Sequence, residues 1–390
     1  MAVYKLFPTN DATVYSQSGS LNTGTDEILE ASTYISESKG QVTRYLLKFS
    51  DDEINSIIGE NGIAVSKSFQ VNLINYAAVV TGLNTDSRLY AYAVSGAWDM
   101  GTGKQFNSPQ TTNGVSWIWQ TYSGSTASSK KWALESYNAY STGSYVADLE
   151  GGGTWYTGSN ISETNNLIIS ESYQLFSYAN PIDLNIDITN IVNTWYSYSL
   201  DNSTGFPNDG IIVKQQDSNE FILDVNKVAT FRYFSIDTNT IYPPCLDFKF
   251  YDYTFDTGSS TNTILGNPTS FISIYNNVGT YYSQSIAKFR IAAVPKYPDR
   301  QFQTASYYTT NYYLPESQSL YAIKDTDTNE FVVNFDDVYT RISADTTSSY
   351  FDVYMNGLEP ERMYTILIKT VIGGVTKVFD EDLMFKVAKG

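Results

Sequence analysis

Between Asp325 and Asp336 the chain reads "DTDTNEFVVNFD", with acids or an amide at the first, third and fifth positions and an acid at the twelfth. A calcium loop collects its oxygen ligands with that spacing, so Asp325, Asp327, Asn329 and Asp336 are the metal candidates. Glu330 stands at the sixth position, where such a loop turns on glycine, and strand-like rather than helical segments flank it. A hairpin turn explains the same letters more simply.

A second chemistry is aromatic stacking. "GVSWIWQTYSGSTASSKKW" sets Trp117 and Trp119 one residue apart, and in a strand both rings would lie on one face. With Trp98, Trp132 and Trp155 they are candidates for contact with a glycan or a protein neighbour. Burial as core anchors accounts for the same residues and is the simpler reading. The acids at "DDE" (51), "DD" (336) and "EDL" (381) read as helix starts or solvated faces. None has a context that sets two carboxylates across a cleft, as glycoside hydrolysis requires. In "GLEPERMY", Glu359, Glu361 and Arg362 read as surface ion pairs, and "LEGGGTWYTG" lacks the lysine and helix of a phosphate loop.

The chain contains no histidine. That removes the usual proton shuttle near neutral pH, Ser-His and Cys-His nucleophile pairs, and imidazole metal sites. A single cysteine, Cys245, allows no intrachain disulfide and no thiolate cluster. A non-enzyme without cofactor is the expectation.

Lys and Arg number 24 against 41 Asp and Glu, a net charge of −17 over 390 residues. This balance opposes contacts with a phosphate backbone and with anionic membranes. No stretch approaches eighteen apolar residues, so no membrane insertion is expected. The opening "MAVYKLFPTNDATVYS" lacks the apolar core of a secretory signal, and export by that route is not expected.

The elements that must position these residues read as strands. "RYLLKFS", "SRLYAYAV", "GIIVKQQ", "LDFKFYDYTF", "KFRIAAV", "FVVNF", "YFDVYM" and "YTILIKTVI" are rich in β-branched and aromatic residues, with polar turns between them. Two short helices are expected: "DDEINSIIG", closed by Gly59, and "ITNIVNTWYS", capped by Asp187 or Thr189. The spacing predicts an all-β chain of sandwiches or barrels. Small polar residues at 256–270 mark a linker between a large unit, 1–255, with long Gly/Ser/Thr-rich loops around 123–166, and a smaller one, 271–390. In "VPKYPDRQF", Pro295 and Pro298 cannot both sit in a central ladder.

Six segments of the first 250 residues resemble, in order, the disaggregatase-related β-sandwich called the DNRLRE domain. They are "DATVYSQSGSLNTGTDEILEAS", "TRYLLKFSDDEI", the tryptophan pair of "SGAWDM" and "GVSW", "LNIDITNIVNTW", "NDGIIVK" and "YPPCLDFKF". The resemblance implies a jelly-roll module similar to carbohydrate-binding modules. The whole chain, including "GLEPERMYTILIKT", also resembles structural proteins of contractile-tailed marine bacteriophages, and its last part an immunoglobulin-like β-sandwich. These likenesses imply a virion component of the tail, baseplate, neck or fibre attachment. It would assemble in the host cytoplasm and contact other virion proteins and copies of itself. The alternative is an adhesin holding a host glycan. Neither reading involves nucleic acid.

Overall fold

β-branched and aromatic runs become strands through most of the described residues, which are mostly β, 43% strand and 9% helix. The computed structural model describes residues 2–59, 68–126, 128–132, 151–156, 172–202, 204–258, 264–297 and 312–390. Most of the loop region expected at 123–166, residues 259–263 of the expected linker, and Pro298 lie outside them. The described chain forms two compact units: residues 6–65 with 70–247, and residues 1–5, 66–69 and 248–390.

In the large unit a six-stranded antiparallel sheet runs in the order Tyr173–Phe176, Ser87–Ala93, Ile211–Gln215, Lys39–Lys48, Asn10–Tyr15, with Thr33–Ser36 also paired to Lys39–Lys48. Ile211–Gln215 is buried at all five positions, Val42–Leu47 of the neighbouring strand at six in a row, and Asn10–Tyr15 at five of six. Continuous burial means that both faces are covered. One face carries Tyr45 and Phe176 against Tyr233 and Phe231, which belong to a three-stranded sheet of Ile28–Glu30, Thr230–Phe234 and Ala77–Thr81. Among the described residues the other face is covered with tryptophan by chain from 94–126, 128–132 and 151–156, whose paired strands, Trp119–Thr121 and Lys130–Lys131, are short.

Both expected helices are present. Asp51–Ile58 starts at Ser50, whose hydroxyl accepts from Glu53 N, with acids in its first turn, and closes at Gly59. Thr189–Leu200 has Ile188 at its N-cap with no side-chain capping bond, so neither Asp187 nor Thr189 fills the expected cap; Asp187 Oδ1, one residue ahead, accepts from the Thr189 amide and hydroxyl. Their buried sides, Ile54 and Ile57, and Ile191, Val192 and Trp195, follow helical spacing.

The covering layer is pinned by Asn22, which is fully buried. Its Nδ2 donates to the Met100 and Val115 carbonyls, each at 2.8 Å, and its Oδ1 accepts from Gly24 N and Gly103 N. All the hydrogen-bonding capacity of the amide is used. Gly101 passes so close, at φ 79°, that a Cβ there would lie 2.4 Å from Asn22 Oδ1.

The small unit has two facing sheets. One is ordered Ser270–Ile274, Ile286–Pro295, Ser349–Tyr354, Ser343–Ala344, and the other Thr280–Tyr282, Val375–Ala388, Met363–Ile372, Ser319–Asp325, Phe331–Val333. Phe289, Ile291 and Phe351 of the first meet Tyr321, Ile366, Ile368 and Phe385 of the second. The Tyr321 and Phe351 rings stack at 4.3 Å. Pro295 ends its strand opposite Ser270 of the neighbouring outer strand, where a missing amide is tolerated.

Replacing Asn22 with Ala removes the side-chain partner of four backbone groups, three of whose bonds are fully buried. Urea denaturation should show a loss of about 3 kcal/mol or more, since each unsatisfied buried group costs roughly 1–3 kcal/mol. Asn22→Asp should not restore stability, because a carboxylate cannot donate to the two carbonyls. A loss below about 1 kcal/mol for the Ala variant would remove Asn22 from its pinning role.

Candidate functional site

On the tryptophan-covered face, strand alternation places Arg44 beside Val42 and Leu46, and Lys214 beside Ile212. In an ordinary half-exposed sheet both cations would reach solvent. Here their side chains are 1–2% exposed, and each needs a counter-charge.

Glu220 supplies it. Arg44 donates Nε and Nη2 to the two Glu220 carboxylate oxygens at 3.1 and 2.7 Å, and Lys214 Nζ lies 3.0 Å from Oε2. Arg44 Nη1 donates to the Gly152 carbonyl at 2.6 Å, and Lys214 also bonds Asp217. Burial pushes the Glu220 carboxyl up, but the charges and hydrogen bonds of Arg44 and Lys214 outweigh it and hold it below its ordinary value. Two tryptophan rings complete the surround. The Arg44 guanidinium lies 5.0 Å from the Trp117 ring centroid and 5.2 Å from that of Trp155, and Lys214 Nζ lies 5.4 Å from Trp155.

The glycine run before Trp155 explains how the chain closes on this cluster. Gly152 has φ 80°, and a Cβ there would come within 2.7 Å of Arg44 Nη1 and of the Trp117 ring. The sequence signal was present in "GGG", but only the fold gives it this use.

The five tryptophans weighed as candidates for a ligand or neighbour, Trp98, Trp117, Trp119, Trp132 and Trp155, are buried, between 0% and 9% exposed, as the simpler reading has them. Trp98 Nε1 donates to the Asp209 carbonyl and Trp132 Nε1 to that of Ser116. Trp117 and Trp119 do not share a strand face. Residues 116–119 form a tight turn, with Ser116 N bonded to Trp119 O, and the strand begins only at Trp119. Trp117 therefore joins the Arg44 cluster, while Trp119 packs beside Tyr122 and under Lys131.

The Asp325 stretch is a hairpin turn between Ser319–Asp325 and Phe331–Val333. The Asp325 carboxylate accepts from the amides of Asp327 and Thr328 and, through both oxygens, from Arg362 at 2.5 and 2.9 Å. The Arg362 hydrogen bonds hold it down at about 2. Asn329 takes the left-handed turn position, φ 60°. Asp336 Oδ1 accepts from Val338 N and Tyr339 N in a separate turn. The Asp325 and Asp336 carboxylates are thus committed to separate turns, and among the described residues no three acids or cysteines gather as a metal group would.

The acid groups at 336 and 381 stay at the surface as expected, with Asp337, Glu381 and Asp382 exposed, and each also contributes a structural bond. Asp336 holds its turn as described, and Glu381 accepts from Ile272 N on the outer strand of the facing sheet. Of the "GLEPERMY" residues, Glu361 makes the expected exposed pair, with Lys386, but Arg362 serves the buried Asp325.

Composition did not single out Asp11. Burial raises its carboxyl to about 7, against the opposing Ile236 amide and with help from Asp237 and Asp26. A group titrating near neutrality is a general-acid candidate by pKa alone. Its side chain lies inside the large unit at 1% exposure, on the Ile236 amide at 2.8 Å, and offers no approach to a substrate.

No known family model matches the chain, and no curated protein matches it.

Glu220→Gln would leave two buried cations facing a neutral amide, a change expected to cost about 3–5 kcal/mol. Trp155→Ala should cost a similar amount, roughly 3–5 kcal/mol, by emptying the ring's site. Because Glu220 is depressed in the folded protein, its contribution is present above the ordinary carboxylate range and fades as pH falls through the lowered value. Thermal melts from neutral to acid pH should show that part of the acid limb missing in Glu220→Gln; an unchanged acid limb would refute it. For the hairpin, chelator should leave the melting temperature unchanged and calcium should not raise it, while Arg362→Ala lowers it. A chelator-sensitive melt restored by calcium would return the Asp325 turn to the metal reading.

Proposed function

We propose that this chain is a non-enzymatic structural component of a tailed-phage virion, placed on the tail, baseplate, neck or fibre attachment. It would be assembled in the host cytoplasm and act through contacts with other virion proteins and with its own copies. The large unit is read as a DNRLRE-like jelly roll and the small unit as an immunoglobulin-like sandwich.

One observation carries the reading. The residues best equipped for chemistry or recognition, Arg44, Lys214, Glu220, Trp117 and Trp155, are buried and spent on one another. They come from segments spread over 176 residues of chain, and what they accomplish is to fasten the irregular layer to the sheet. Such an interior makes a rigid block whose usefulness lies in its outer shape. Three of these five positions, Arg44, Trp117 and Lys214, lie in the segments that resemble the DNRLRE domain. The adhesin alternative would have to place its aromatic platform elsewhere than on the five buried tryptophans.

Gold-labelled antibody against the chain, applied to purified phage particles and viewed by electron microscopy, should mark one fixed position on the tail assembly. Trp117→Ala should lower the melting temperature of the purified chain without revealing or abolishing any glycan binding. Absence from particles, or glycan binding that disappears in Trp117→Ala at an unchanged melting temperature, would overturn the structural reading.

A further inference from the structure

The six-stranded and three-stranded sheets of the large unit are joined at one margin by a buried acid. Asp11 lies on Asn10–Tyr15, last in the order of the six-stranded sheet, with Leu47 opposite it on the neighbouring strand. Its side chain is 1% exposed, and its Oδ2 accepts from the Ile236 amide at 2.8 Å. Ile236 stands two residues beyond Thr230–Phe234, the middle strand of the three-stranded sheet. The same segment is tied to the chain that enters Ile28–Glu30. Ser235 N donates to the Glu27 carbonyl, and Ser235 Oγ donates to that of Asp26 and accepts from Asp237 N.

The charges around Asp11 are one-sided. Asp237 faces it from the 235–237 segment and Asp26 from the chain before Ile28–Glu30. Leu47 brings no charge. Glu27 is turned to Lys104 at 3.3 Å, and Lys104 tempers Asp26 from a distance without bonding it. Among the described residues no cation pairs with Asp11, Asp26 or Asp237, and the Ile236 amide is the one donor to Asp11.

A carboxylate buried with one amide and two like charges is far costlier there than the neutral acid. Burial first, and then Asp237 and Asp26, raise the Asp11 carboxyl from an ordinary 3.8 to about 7 against the opposing Ile236 amide. Once ionised, Asp11 gains most by reaching water. The cover that can yield is Ile236–Asp237, half-buried at Ile236 and exposed at Asp237. We propose that Asp11 and the Ile236 amide form a pH-sensitive clasp between the two sheets of the large unit, closed while Asp11 is neutral and released as it ionises. Such a clasp goes beyond the assembly reading and holds independently of it.

A group whose folded value lies above its ordinary one adds stability that is complete below the ordinary value and is lost as pH rises through the folded one. For Asp11 that loss falls between 3.8 and about 7. Hydrogen exchange of the Ile236 amide in the full chain, followed from about pH 5 to about pH 8, tests the clasp. After correction for the intrinsic rise of exchange with pH, opening at Ile236 should increase at least about tenfold over this range. The amides of Ile211–Gln215, in the middle of the sheet, should stay protected throughout. Asp11→Asn keeps an oxygen to accept from the Ile236 amide and cannot ionise, so it should abolish the increase. Its melting temperature should also gain on that of the unaltered chain as pH rises. Asp26, Asp209 and Glu53, which burial also raises, are common to both proteins and cancel in that comparison. Corrected exchange at Ile236 that stays flat with pH overturns the proposal, and does so even if Asp11→Asn fails to fold. A melting difference between the two proteins that is the same at both ends of the range overturns it equally.

Discussion

The large unit depends on one shared carboxylate. A six-stranded sheet with one face on a second sheet could leave its other face to water, and Arg44 and Lys214 would then be ordinary surface cations. Instead the chain lays an irregular layer of tryptophans over that face, removing both cations from water. Desolvation of two like charges would expel the layer unless an anion entered with them. Glu220 is that anion, held by two bonds from Arg44 and one from Lys214. The layer has few strand hydrogen bonds of its own, so polar pins must fix its position. Asn22 clamps one part of it through four backbone groups, and the Gly152 carbonyl ties another part to Arg44.

The small unit uses charge differently. Its charged side chains satisfy turns and sheet margins in place of bridging a buried layer. Asp325 organises a hairpin and is neutralised by Arg362 from the neighbouring strand. Glu381 accepts from the outer Ile272 amide, and Lys377 donates to the carbonyls of Pro268 and Ser270. An outer strand whose backbone groups are met by side chains is a poor template for unplanned strand pairing.

These arrangements bear on function through what they exclude from the surface. A chain of net −17 repels its own copies wherever acids face each other. Near-neutral surface is concentrated in the small unit, and the strongest recognition chemistry of the large unit is internal. A structural block positioned through few contacts and otherwise solvated by its charge is consistent with both features.

Much of this was legible in the amino-acid sequence. β-branched and aromatic runs determined the strands, and Gly59 marked a helix end, because these signals are local and act over a few residues; the cap of the second helix fell on Ile188 and not on Asp187 or Thr189. The Asp325 turn was likewise readable as a hairpin, since Asp and Asn side chains bond the backbone two or three residues on. Only the tertiary structure decided which sheet face was covered, and with it the meaning of Arg44, Lys214 and "GGG". Alternation assigns a cation to a face but cannot say whether that face meets water. Glu220 and Arg44 are 176 positions apart, a separation at which spacing carries no information. The Trp117 and Trp119 pair was misplaced for a related reason: one residue between rings implies a common face only in an extended strand, and the Ser116–Trp119 hydrogen bond bends the chain there. The grouping of residues 1–5 and 66–69 with 248–390 was also settled in three dimensions, because packing against distant strands leaves no mark in local composition.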